Sequence, residues 1–168
     1  MTAANIAELD DRTVIRALQE VTEELAATAG LAIATKDSDE AQALLAALLE
    51  EGELSDSAPL ALAMPCQYAA ARRVLVALAE NPATGCVTDS VLADPPSDTR
   101  LGTELAAPAI VVLAAVVVWL QTKVDIRIKR KDGKTEFEFR VAKEAASAGL
   151  LKDIVKTIVQ FWTGPPQP

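Results

Sequence analysis

Acid–base and nucleophilic chemistry near neutral pH leans most often on imidazole, and this sequence contains no histidine. Ser–His and Cys–His nucleophilic pairs, an imidazole general base and nearly all mixed-ligand zinc sites are therefore ruled out. Cys66 and Cys86 stand too far apart for a Cys-x-x-Cys motif. They are expected to be reduced thiols packed as small hydrophobes, because an interdomain disulfide would need an oxidising compartment. The adjacent carboxylates Asp10–Asp11, Glu23–Glu24 and Glu50–Glu51 would point about 100° apart on a helix instead of converging on one atom. They read as helix-start and solvent-face charges. The seven glycines are scattered singly, which leaves no Gly-rich loop to cradle phosphate. No catalytic, cofactor-binding or metal-ligating residue is predicted, and the chain is expected not to be an enzyme.

The chemistry left to these residues is recognition. Arg72 and Arg73 form one basic pair, and Arg127, Lys129, Glu136 and Glu138 form an alternating charged set. All six are candidate partner-binding residues, against the plainer reading of solvated surface charge. The net charge of −8 is unevenly spread: residues 1–104 carry 6 Lys/Arg against 18 Asp/Glu, and residues 105–168 carry 10 against 6. So acidic an N-terminal part argues against nucleic acid as a partner, since phosphate contacts need Lys and Arg. The basic excess further on is too mild to argue for it.

These side chains must be positioned by elements that the pattern also predicts. Hydrophobic residues make up 51% and aromatics only 4% of the 168 residues, so the core is filled by Ala, Leu and Val, which favours closely packed helices. Asp10 or Asp11 is placed to cap a first helix, along which Val14, Leu18, Val21 and Leu25 recur at steps of three and four. Gly30 is its expected stop, and Leu31–Thr35 reads equally as a short strand or a continuation. Asp37 and Glu40 form an acidic capping-box variant ahead of Leu44, Leu45, Leu48 and Leu49, with Gly52 as terminator. A further turn is expected over Leu60–Met64. Pro65 suits the first turn of another helix carrying Tyr68, Val74, Leu75 and Leu78 and stopping before Pro82. The expectation is a small helical bundle within residues 1–81.

Residues 82–103 mix Pro82, Gly85, Pro95 and Pro96 with Thr, Ser and Asp. That composition predicts a linker without long regular structure. Leu105–Leu120 then runs without a charge and as helix would extend ~24 Å, short of the ~30 Å hydrocarbon core of a bilayer. Basic residues cluster after it, as on the cytoplasmic side of a span. Two readings follow: a helix buried on most faces by protein, or a membrane anchor over residues 105–122.

The next stretch carries the strongest local signal. Val124, Ile126 and Ile128 alternate with Asp125, Arg127 and Lys129, while Phe137, Phe139 and Val141 alternate with Glu136, Glu138 and Arg140. Asp132–Gly133 between them is a favoured pair for a two-residue type I′ turn, whose central residues both need positive φ. Placing Lys131 opposite Lys134 sets Lys129 against Glu136, Arg127 against Glu138 and Asp125 against Arg140. The apolar pairs Ile128/Phe137, Ile126/Phe139 and Val124/Val141 then share the other face, and a slip of one residue destroys both patterns. A helix starting near Lys143 follows, with Leu150, Leu151, Ile154, Val155, Ile158, Val159 and Trp162 on one stripe. The predicted fold class is α+β and mostly helical, with an N-terminal helical bundle at 1–81, a Pro/Ser/Asp-rich linker at 82–103, a helix–β-hairpin–helix module at 104–163 and a tail at 164–168.

The order Val118-Trp119-Leu120, Lys123, Val124–Lys129, Asp132–Gly133 and Phe137–Val141 resembles the small effector-associated constant components of bacterial conflict systems, over about residues 101–162. That resemblance implies a non-catalytic part of a multi-component immune or signalling system, working beside proteases and nucleotide-dependent switches. The partners expected are proteins, with self-association through Leu105–Leu120 or Leu150–Trp162 open. Met1–Glu8 lacks a basic start and an apolar stretch, so the cytoplasm is the expected location, with the inner membrane (C-terminus cytoplasmic) following from the anchor reading.

Overall fold

The computed structural model describes residues 2–30, 37–51, 64–96, 108–140 and 152–159. Among the described residues six helices precede one hairpin: α1 (Thr2–Glu8), α2 (Asp11–Thr28), α3 (Ser38–Glu51), α4 (Met64–Glu80), α5 (Gly85–Ala93) and α6 (Pro108–Gln121), then β1 (Asp125–Lys131) and β2 (Lys134–Arg140). A further helix, α7, covers residues 152–159. The mostly helical α+β class is as the sequence predicts.

Local chemistry sets the helix ends. The Asp10 carboxylate accepts from the backbone N–H groups of Arg12 (3.0 Å) and Thr13 (3.1 Å) and from the Thr13 hydroxyl (2.6 Å). Those bonds satisfy amides that the first turn of α2 leaves without partners. At the other end Gly30 takes φ +62°, and its N–H reaches Ala27 O at 3.3 Å, closing the helix in the left-handed manner glycine permits. Asp37 caps α3 through the N–H of Glu40 at 2.9 Å. The Thr13 hydroxyl, then the Thr13 amide, holds the Asp10 carboxyl below its ordinary 3.8. A depressed folded-state pKa contributes stability that is present above the unfolded value and lost as pH falls through the folded one. Asp10→Ala should therefore lower Tm near pH 7, and the gap from wild type should close in melts run well below pH 3.8. A gap that stays constant in acid would show that the cap contributes nothing as a carboxylate.

Apolar stripes fix how the helices meet. Val14, Ile15, Leu18, Val21 and Leu25 of α2, and Leu44, Leu45, Leu48 and Leu49 of α3, are all buried, while Glu20, Glu23 and Glu24 face outward. Val74, Leu75 and Leu78 of α4 are buried and Tyr68 is half-buried. At the centre lies α6, packed on α2, α3 and α4. Every residue from Val111 to Leu120 except Ala114 is buried, so almost no side of it is left for lipid. No helix among the described residues is long and apolar enough to cross a membrane.

Two expectations about organisation need correcting. Residues 85–93, predicted as linker, form α5, which packs against α1, α2 and α4. Asn81–Pro82 does not loosen the chain there: the Asn81 side chain accepts from Ala83 N–H at 2.9 Å, and the Asn81 carbonyl accepts from Thr84 and Gly85. This Asx-type turn feeds the next helix directly. Nor does packing break between an N-terminal and a C-terminal module. One core cluster holds side chains of α1 to α6 together with Val124 and Ile154, Val155 and Ile158 of α7. A helix apolar at every position from Ile110 to Leu120 needs cover all round, and a hairpin and one amphipathic helix can shield only part of it. The expectations for Leu31–Thr35, Gly52, Leu60–Ala63, Val141, Leu150, Leu151, Trp162 and the tail lie outside the described residues.

Candidate functional site

The hairpin forms in the register that charge and hydrophobic pairing predict. Asp125 faces Arg140, Ile126 faces Phe139, Arg127 faces Glu138, Ile128 faces Phe137, Lys129 faces Glu136 and Lys131 faces Lys134. Asp132 and Gly133 turn the chain with φ of 52° and 75°, the double positive φ of a type I′ turn. Three residues, Thr122–Val124, connect α6 to β1. The Thr122 hydroxyl caps Trp119 O at 2.6 Å and Val124 N–H reaches Leu120 O at 2.9 Å. With Val124 itself buried, the hairpin is rooted in the core at its base.

Its two faces differ. Ile126, Ile128, Phe137 and Phe139 are half-buried against the helical core. Residues 129–136, around the turn, are all exposed. On the charged face the ion pairs run diagonally and along the strand: Lys129 Nζ lies 3.2 Å from Glu138, and Arg127 Nε lies 3.6 Å from Asp125. Long side chains reach a diagonal neighbour as easily as a direct one, and exposed pairs of this kind add little stability.

Arg130 breaks the alternation. It sits on the parity of Ile126 and Ile128, where an apolar residue is expected, and reaches across to α3. Its Nε and Nη2 both lie 2.9 Å from the Glu40 carboxylate oxygens, a bidentate pair. The Glu40 side chain is only 11% exposed, and its carboxylate holds the Arg130 proton more tightly than usual. This pair is absent from the sequence-based candidates. The signal for it was a charge standing on the apolar side of a strand, which demands a partner somewhere in the fold. Glu40→Gln keeps the shape and removes the charge. It should lower Tm by a few degrees in dilute buffer and speed amide exchange at residues 125–131, with the Tm difference narrowing in high salt. Equal exchange in both proteins would show that the pair does not hold the hairpin.

The other candidates divide. Arg127, Lys129, Glu136 and Glu138 share the charged face of the hairpin, the first three exposed and Glu138 half-buried. Arg72 does not belong with them: its guanidinium donates to Ile6 O (2.8 Å), Leu9 O (2.7 Å) and Asp11 Oδ1 (2.9 Å). It fastens the end of α1 and the start of α2 onto α4, satisfying carbonyls that a helix end leaves open. Arg73 is half-buried on the same helix and has interactions of its own. Comparison with protein-family models, curated proteins and solved structures finds no match to this chain.

Of the paired carboxylates, Asp10 is a helix cap, Asp11 the partner of Arg72, and Glu23 the acceptor of Gln19 Nε2 at 3.1 Å. Glu24 and Glu50 face solvent. Cys86 corrects the expectation of a packed thiol: it is free and exposed, because α5 turns Gly85, Thr88, Val91 and Leu92 inward and position 86 falls on the opposite side. Among the described residues no three His, Cys, Asp or Glu side chains gather as a metal site would require.

Proposed function

We propose that the protein is a non-catalytic interaction component of a multi-protein assembly, in keeping with the resemblance to the constant components of bacterial conflict systems. The observation that carries this reading is the hairpin: a charged, exposed tip on a base rooted in the helical core. A stable domain gains little from an exposed two-stranded ribbon, which is marginal by its own hydrogen bonding. Such a ribbon does offer a partner a strand edge and a fixed row of charges. The acidic outer surfaces of α2 and α3, carrying Glu20, Glu23, Glu24 and Asp39, offer a second and chemically opposite surface.

The test is purification of the tagged chain from its native host at its normal abundance, followed by measurement of stoichiometry. One or more proteins should co-elute in a fixed molar ratio that survives moderate salt. Recovery of the chain alone would overturn the reading, as would turnover of any substrate abolished by replacing a single acidic residue.

A further inference from the structure

Building on that reading, we propose that the outer edge of β1 accepts, as a third strand, an extended partner segment that alternates acidic and apolar residues. The backbone supplies the first argument. In a two-residue hairpin the residues flanking the turn exchange both hydrogen bonds, and such pairs recur at every second position. With Lys131 opposite Lys134, Lys131, Lys129, Arg127 and Asp125 turn their backbone groups toward β2. Ile126, Ile128 and Arg130 turn theirs outward. Among the described residues no third strand meets them, since the sheet consists of β1 and β2.

Side chains decide what kind of strand fits. Along β1 the charged face carries Arg127, Lys129 and Lys131 with Asp125 as its only acid. β2 already answers this row on its inner side with Glu138 and Glu136. A strand added on the other side meets the same row at the same spacing of about 4.8 Å. Arg127 and Lys129 are 53% and 66% exposed, so their ion pairs within the hairpin leave them open to a second carboxylate. On the opposite face the added strand would continue the row of Ile126 and Ile128 with apolar side chains. Acidic residues alternating with apolar ones meet both demands. A second copy aligned edge to edge through β1 does not, because it sets Arg and Lys against Arg and Lys. Along β2 the charged face is less selective, setting Lys134 against Glu136 and Glu138. The net charge of −8 repels an acidic segment at long range, but at physiological salt that repulsion is screened beyond about 8 Å. Contacts across 4.8 Å then favour the local basic row.

Backbone amide exchange in the full chain gives the test, with capped seven-residue peptides of alternating Glu and Val, or Lys and Val, as probes. Saturating Glu–Val peptide should slow exchange at Ile126, Ile128 and Arg130 by on the order of tenfold, while Lys–Val peptide should not. Reversing charge on β1 alone would strain the hairpin, so the variant is Arg127→Glu/Lys129→Glu/Glu136→Lys/Glu138→Lys, which keeps opposite charges at the facing positions 127/138 and 129/136 and gives up the exposed contact of residue 127 with Asp125. That variant should prefer the Lys–Val peptide. Equal protection by both peptides, protection of neither kind, or protection that grows with protein concentration in the absence of peptide would overturn the inference. A native partner that co-purifies equally with wild type and this variant would overturn it too, while leaving the interaction reading intact.

Discussion

Val116→Asp should destabilise the protein by on the order of 4 kcal/mol or more, whereas Ile110→Asp, on the same helix, should leave its stability nearly unchanged. Val116 is fully buried and Ile110 is 48% exposed. A carboxylate at 116 would sit where α6 packs on α2, α3 and α4, with no cation designed to meet it. An unpaired buried charge costs on the order of 4 kcal/mol or more. Domains of this size are stable by about 5–15 kcal/mol in total, so one such substitution removes a large share of that stability. At position 110 the same carboxylate keeps its water, and the change should fall within about 0.5 kcal/mol. Circular dichroism and urea titration separate the outcomes. A Val116→Asp protein as stable as Ile110→Asp would mean that α6 has a side open to solvent, and the central-helix architecture would be wrong.

Gly85→Ala should destabilise the protein by about 1–3 kcal/mol, the opposite of what its place in a helix suggests. Replacing glycine by alanine inside a helix ordinarily stabilises by about 0.5–1 kcal/mol, because the unfolded chain loses freedom. Gly85 opens α5 against the end of α4, and a Cβ there would stand 2.7 Å from Ala79 O. That oxygen belongs to backbone and cannot swing aside like a flexible side chain. The neighbouring bonds leave little slack: Gly85 N–H reaches Asn81 O at 2.7 Å, and the Thr84 hydroxyl reaches Leu78 O at 2.5 Å. Steric overlap therefore outweighs the entropic gain. Denaturant unfolding at constant m-value measures the difference, and a stabilised Gly85→Ala protein would show that a Cβ at 85 stands farther than 2.7 Å from Ala79 O.

Particular residues show what could be read before the fold was known. The hairpin was legible because its signals are local and mutually restrictive. A turn pair demanding positive φ, a period of two, and opposite charges on facing positions agree in only one register. Caps at Asp10 and Asp37 were legible for the same reason, since their partners lie two or three residues away. Helix α5 was not, because Pro82 and Gly85 signal interruption, and only the close approach to Ala79 reveals that glycine is there for packing. The clamp made by Arg72 was not legible because a surface pair and a clamp look identical in sequence. Its acceptors, Ile6 O and Leu9 O, lie more than sixty residues away. Arg130 gave a clue in its parity, but no clue that Glu40 would answer it.

The sequence by itself determined helices α2, α3, α4 and α6 with their buried residues, the hairpin register and the lack of imidazole chemistry, since each depends on neighbours along the chain or on composition alone. Tertiary structure decided that α6 is the centre of one shared core, that Arg72 and Arg130 fasten α1 and the hairpin to it, and that the charged face of β1 turns outward. The physical reason is that burial and ion pairing are properties of space. A run of Val and Leu must be covered, yet nothing in its own residues states which distant helices will cover it.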